Sequence, residues 1–163
     1  MGGESSCSEG GLECGINGIG NPPEAGWRRD GRRALTMKVM EILVVDDEQS
    51  ICLLLHDVLE RFGHRVTTCQ DGGVAVEEAG LGGQFDLIFL DIRMPGMGGL
   101  EALKKLRELQ PEARFVMITG FANDEIIEEA LHSGASACLC KPFSLLQVSK
   151  LVEEIEAERP VPA

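Results

Sequence analysis

Asp46 and Asp47 follow the apolar run Ile42-Leu43-Val44-Val45, and Asp91 follows Leu87-Ile88-Phe89-Leu90. Thr119 follows Val116-Met117-Ile118, and Lys141 follows Cys138-Leu139-Cys140. Each is a polar or charged side chain placed where an apolar strand ends. In a parallel α/β sheet the carboxyl ends of the strands line one crevice, so the five side chains converge on it. Three carboxylates brought close repel one another unless a divalent cation lies between them. A cation, an acceptor carboxylate, a hydroxyl and an ammonium are the parts that a transferring phosphoryl group needs.

The elements that must position these residues are legible from Glu41 onward. The first strand is 41–45. A helix follows with Ile51, Leu54, Leu55, Val58, Leu59 and Phe62 at helical spacing, ended by Gly63. The second strand, 64–69, mixes Thr with Val and reads as a sheet edge. The turn Asp71-Gly72-Gly73 leads into a short helix over 74–81. The third strand is 85–90, and the loop 94–99 opens a helix through Leu100, Leu103, Leu106 and Leu109 that Pro111 stops. The fourth strand is 114–118, and Asn123 caps a helix carrying Ile126, Ile127, Ala130 and Leu131. The fifth strand is 136–140. Ser144 and Gln147 form a capping box for the last helix, whose Leu145, Val148, Leu151, Val152 and Ile155 face inward. Strands one, three and four are nearly continuous apolar runs, as a parallel sheet covered on both faces requires. The fold class is therefore α/β, a doubly wound five-stranded parallel sheet, flavodoxin-like, in the order 2-1-3-4-5. In that order the switch point falls between strands one and three, the strands that end in Asp46-Asp47 and in Asp91.

The rest of the composition bounds the class. The 163 residues carry a formal charge of −12, enough chain for one domain with a sizeable core. Residues 1–36 hold four Arg against five Asp or Glu, so nearly all of the negative charge lies downstream. A domain this acidic is a poor match for a phosphate backbone, which argues against direct nucleic-acid binding. No apolar stretch reaches membrane-spanning length, the N-terminus is acidic and Gly-rich without the basic and apolar regions of a signal peptide, and a cytoplasmic location is expected without membrane insertion. The cysteines Cys7, Cys14, Cys52, Cys69, Cys138 and Cys140 form no C-x-x-C pair and read as reduced thiols. Residues 1–36 contain nine of the 20 glycines, Pro22-Pro23 and few large aliphatics, and are expected to be a disordered extension. The domain is expected over 40–158, with 159–163 as a tail.

At these residues the chain resembles the receiver domain of two-component response regulators. Val44-Val45-Asp46-Asp47-Glu48 is similar to the family's acidic ending of strand one, and Asp91-Ile92-Arg93-Met94-Pro95-Gly96 to its phosphoacceptor loop. Ile118-Thr119-Gly120 resembles the switch segment of strand four, and Lys141-Pro142-Phe143 the Lys-Pro-Phe corner. All four occur in order at the family's spacing. The resemblance implies the same strand order. It implies that Asp91 accepts a phosphoryl group from a phosphohistidine on a histidine kinase or histidine phosphotransfer protein. It further implies that Asp47, Asp91 and the backbone carbonyl of Arg93 hold Mg²⁺, with Asp46 helping through water. Lys141 would pair with the phosphoryl oxygens, Thr119 would donate one hydrogen bond to them, and the Lys141–Pro142 bond would be cis. As a stand-alone receiver that catalyses only its own phosphorylation and dephosphorylation, the chain would act on a downstream protein target or pass the group onward. The alternative is a pseudo-receiver that docks a protein partner without phosphorylation.

Three departures from the family pattern matter. Cys138 stands where many receivers carry Tyr or Phe, too small to reproduce the ring movement that couples Thr119 to the face made by helix four, strand five and helix five. Gly98 stands where Asp is common before a helix start. Arg93 stands where aspartyl-phosphate hydrolases carry a second acid, which argues against that enzyme class. Arg93 and Phe121 also occupy positions that influence how long the phosphoryl group lasts.

Overall fold

The computed structural model describes residues 38–121 and 123–158; the expectations for the extension 1–36 and the tail 159–163 lie outside them. Five strands alternate with five helices: β1 (Glu41–Val45), α1 (Gln49–Arg61), β2 (Arg65–Cys69), α2 (Gly72–Gly80), β3 (Leu87–Asp91), α3 (Gly99–Leu109), β4 (Arg114–Thr119), α4 (Asp124–His132), β5 (Ala137–Cys140) and α5 (Leu145–Ala157). All pairings are parallel and the sheet order is β2-β1-β3-β4-β5, as the sequence led us to expect.

Side chains along a strand point alternately to the two faces, and this divides the apolar residues into two half-cores. Leu43, Val45, Ile88, Leu90, Phe115 and Met117 pack on one face with Ala75, Leu103, Leu106 and Ala130 from α2, α3 and α4. Ile42, Val44, Leu87, Phe89, Val116 and Ile118 pack on the other with Leu55, Leu59, Val148 and Val152 from α1 and α5. Every residue of β3 is buried, whereas β2, an edge strand, buries only Cys69. Asp71 caps α2 by accepting from the N–H groups of Gly73 and Val74, and the Ser144–Gln147 capping box opens α5.

Five expected core residues face solvent instead. Leu54, Phe62, Leu109, Leu131 and Leu145 are all more than a third exposed, Leu109 being the last residue of α3. The buried stripe of α1 runs through Cys52, Leu55, Val58 and Leu59, so Leu54 lies one residue off it and Phe62 is the C-cap residue beyond the last turn. Leu131 sits beside Ala130, the buried residue of α4, and Leu145 is the first residue of α5, ahead of the stripe that begins at Val148. A leucine at roughly helical spacing misses the core when the turn it occupies overhangs the sheet.

The loop from β3 to α3 is packed without slack. Gly99 donates its N–H to the Ile92 carbonyl at 2.9 Å, and a Cβ at Gly99 would lie 2.6 Å from Ile92 Cα and closer still to the Asp91 carbonyl. Gly98, the N-cap residue of α3, makes no side-chain cap, and a Cβ there would meet only Ile92 O at 3.9 Å. Gly99→Ala is therefore expected to destabilise the domain by about 3 kcal/mol or more through backbone overpacking, and Gly98→Ala to be nearly neutral. Urea denaturation midpoints of the two variants check this contrast.

Candidate functional site

Strand register builds the site. Val45 pairs with Leu90, so Asp46 and Asp91 are the next residues along neighbouring strands; Asp91 pairs with Ile118, and Thr119 with Cys140. The structure thus brings Asp46, Asp47, Asp91, Thr119 and Lys141 to one end of the sheet, as expected from the sequence. Asp46, Asp91 and Thr119 are buried, Asp47 is exposed, and Lys141 is half-buried. The Lys141–Pro142 peptide bond is cis.

Each carboxylate has a defined surrounding. Asp46 Oδ1 accepts the Glu48 N–H at 2.8 Å, and Asp91 Oδ1 accepts the Arg93 N–H at 3.2 Å. Asp46 Oδ2 is buried without an aligned hydrogen bond; Lys141 Nζ lies 3.0 Å from it, close enough for an ion pair although the angles are poor. Lys141 Nζ also lies 3.5 Å from Asp91 Oδ2 and 2.7 Å from Glu48 Oε1. The Lys141 N–H donates to the Thr119 carbonyl at 2.7 Å, which ties β5 to β4 at the site.

The electrostatics follow from this crowding. Burial, and then the neighbouring Asp46 charge, push the Asp91 carboxyl up to about 7; Lys141 and the Arg93 N–H only partly offset them. Burial works against the charge on Lys141, but the close approach of the Glu48 and Asp46 carboxylates and the Asp91 charge outweigh it, so the ammonium is held above its ordinary range. The two shifts agree: the site has an excess of negative charge, which favours a cation and penalises one more anion.

Carboxylate oxygens of Asp46, Asp47 and Asp91 all lie within 4.8 Å of one another. An all-oxygen, multiply charged donor set suits a hard divalent ion such as Mg²⁺, and the under-bonded Asp46 Oδ2 fits that reading. Thr119 is turned away from this cluster's chemistry for now. Its hydroxyl donates to the Phe121 carbonyl at 2.9 Å and accepts the Phe121 N–H at 3.1 Å. The exposed Phe121 ring lies under the Arg93 guanidinium, 4.2 Å from its centre, so the loops after β3 and β4 touch across the mouth.

Comparison with known proteins decides the family. The sequence profile of the response regulator receiver domain matches residues 42–155. The chain belongs to the response regulator receiver family. It is 40% identical over 117 residues to the alkaline phosphatase synthesis transcriptional regulatory protein PhoP of Bacillus subtilis (strain 168), covering 71% of this chain and 48% of that protein. It is 38% identical to the transcriptional regulatory protein ZraR of Klebsiella oxytoca over 68% of this chain and 25% of that one. This receiver chain thus spans half or less of those relatives. Chemotaxis protein CheY4 of Vibrio cholerae superposes with a TM-score of 0.68 at 30% identity, over 72% of this chain and 99% of that one. Receiver domains typically bind Mg²⁺, and the Asp46, Asp47 and Asp91 cluster offers the ligands.

Two features of this receiver site escaped the sequence reading. The Glu48–Lys141 contact joins residues 93 positions apart, and its signal, a third acid after Asp46-Asp47, carries no pairing information. The Arg93–Phe121 stack was visible only as two positions near the site. The described cysteines Cys52, Cys69, Cys138 and Cys140 are free; burial raises the Cys52, Cys69 and Cys138 thiols above their ordinary range, the Cys69 thiol to about 11.

The raised Asp91 carboxyl makes stability depend on pH. Between its ordinary value of 3.8 and about 7 the folded receiver keeps a proton that the unfolded chain has released, so raising the pH through this window withdraws stability. In chelator, the urea midpoint is expected to fall from about pH 5 to about pH 8. Asp91→Asn is expected to flatten that fall and to be more stable than the wild type by about 1–3 kcal/mol at the upper end.

Proposed function

We propose that this chain is a single-domain response regulator whose Asp91 accepts a phosphoryl group from a phosphohistidine on a histidine kinase or a histidine phosphotransfer protein. The observation that carries this reading is the placement of buried Asp91 in one cluster with the Asp46 and Asp47 carboxylates, 3.5 Å from the Lys141 ammonium.

An Asp91 carboxylate oxygen attacks phosphorus as the bond from phosphorus to the donor imidazole nitrogen breaks. The electron pair stays on that nitrogen, which takes up a proton, and Asp91 becomes an acyl phosphate. Mg²⁺, held by Asp46, Asp47, Asp91 and the Arg93 backbone carbonyl, would neutralise charge on the carboxylates and on the arriving oxygens. Lys141 turns its ammonium to the phosphoryl oxygens, a point charge on a flexible stem suited to a group that arrives and leaves. Thr119 exchanges the Phe121 carbonyl for a phosphoryl oxygen as its acceptor, and the loop carrying Phe121 moves with it. Gly120, with open space where a Cβ would stand, leaves that loop free to move.

The relatives support the chemistry. A response regulator from Burkholderia pseudomallei, 29% identical with a TM-score of 0.63, has been solved with a phosphorylated aspartic acid and a calcium ion. Sporulation initiation phosphotransferase F of Bacillus subtilis (strain 168), 29% identical, is matched over 91% of its length. The output is a changed surface read by a protein target, or onward transfer of the phosphoryl group. Cys138, half-buried against the half-core of α2, α3 and α4, favours onward transfer, which needs the site but not an aromatic switch. Beyond its own phosphorylation and dephosphorylation the domain catalyses nothing. The reading includes no direct contact with nucleic acid and no membrane insertion. The described residues contain no helix long and apolar enough to cross a membrane. The location we propose is cytoplasmic.

Incubation with Mg²⁺ and acetyl phosphate is expected to add one phosphoryl mass to the intact protein. The gain should vanish without Mg²⁺ and in Asp91→Ala. No gain in a folded wild-type protein would leave the docking-only pseudo-receiver. The Cys138 reading has its own check: on addition of a phosphate analogue, amide shifts are expected to concentrate at the Thr119 loop and to fade across α4, β5 and α5. A full response over that face would rule it out.

A further inference from the structure

Lys141 does not rest chiefly on the proposed phosphoacceptor. Its nearest acceptor is Glu48 Oε1 at 2.7 Å, followed by Asp46 Oδ2 at 3.0 Å and Asp91 Oδ2 at 3.5 Å. Glu48 is the N-cap residue of α1, yet its side chain makes no cap hydrogen bond. Its backbone is pinned at both ends: the N–H donates to Asp46 Oδ1, and the carbonyl accepts from Ile51 and Cys52. With the main chain fixed in this way, the side chain reaches across to β5 and pairs with the ammonium. Its carboxylate is not among the three whose oxygens cluster within 4.8 Å.

We propose that Glu48 is a positioning residue that holds the Lys141 ammonium off Asp91 in the unphosphorylated protein and thereby sets how readily the site fills. The proposal rests on the reading of Asp91 as phosphoacceptor. An acyl phosphate on Asp91 presents anionic oxygens that the ammonium must turn to, and the turn gives up or weakens the contact with Glu48. The Glu48–Lys141 attraction therefore stabilises the empty site alone. Lys141 is largely shielded while Glu48 is 56% exposed, so the attraction has the size of a partly screened ion pair. Glu48→Gln keeps the length and a hydrogen-bond acceptor and removes the charge. Because Glu48 faces solvent and holds nothing else in place with its side chain, E48Q is expected to fold and unfold as the wild type does.

The test is the initial rate of mass gain from acetyl phosphate with Mg²⁺ in the wild type, E48Q, K141A and the double variant. E48Q is expected to be faster by about two- to five-fold at low salt, with the gap narrowing at high salt. The same change in the K141A background is expected to do nothing. Equal acceleration in both backgrounds would mean that Glu48 merely repels an anionic donor, and would overturn the proposal; so would an unchanged or slower E48Q. A second measurement needs no donor: the Lys141 ammonium resonance in NMR is expected to move and to exchange faster with water in E48Q. An identical resonance in both proteins overturns the proposal, and this measurement decides if K141A takes up no phosphoryl group. The two readings fail differently. A wild type that gains no mass sinks the phosphoacceptor reading and this proposal together; a wild type that gains mass beside an unaltered E48Q sinks this one alone.

Discussion

Two buried carboxylates at the ends of adjacent strands govern this molecule. Asp46 and Asp91 are set side by side by the β1–β3 register, where burial and then the Asp46 charge penalise ionisation of Asp91. Such a pair is held together by the sheet, not by its own attraction. Lys141 relieves part of the repulsion from the end of β5, and the exposed Asp47 adds to it. What makes the arrangement unfavourable as structure makes it useful as chemistry: a site with surplus negative charge and converging oxygens draws in cations, and with a cation present it can accept an anionic group.

The remainder of the fold serves to hold these groups in place. The two half-cores clamp the sheet from both faces, so β3 cannot shift Asp91 without disturbing apolar contacts on either side. Gly99 lets α3 start directly against the Asp91–Ile92 backbone, which fixes the loop from behind. The groups that are free to change partners are at the rim: the Thr119 hydroxyl in its turn with Phe121, the Lys141 ammonium among three acids, and the Arg93 guanidinium over the ring. Rigid floor and mobile rim are a division of labour suited to a site that must be built once and switched many times.

Much of this was legible in the sequence because the signals were local. Apolar runs of strand length, helical spacing of Leu and Val, Gly63 after the first helix, and the Ser144–Gln147 box each fix structure within a few residues. The five site residues were found because each lies where such a run ends. What the sequence did not reveal depends on distance or on fine placement. Leu54, Phe62, Leu109, Leu131 and Leu145 satisfy a coarse apolar pattern, but burial is decided by where each helix overhangs the sheet. The Glu48–Lys141 and Arg93–Phe121 contacts join loops that meet only after the sheet has formed, and no spacing rule encodes which side chain at the rim reaches which.

The stack at the mouth also bears on how the molecule can be observed. The chain has no tyrosine, and its one tryptophan is Trp27, outside the receiver match at 42–155. The domain is therefore nearly silent in intrinsic fluorescence. Phe121 offers a remedy that the fold itself supplies, since its ring is 58% exposed, lies against a guanidinium and belongs to the loop that Thr119 holds. An indole in that position would be a stronger partner for the cation and an optical reporter placed over the acidic site, with no other chromophore of the domain to obscure it.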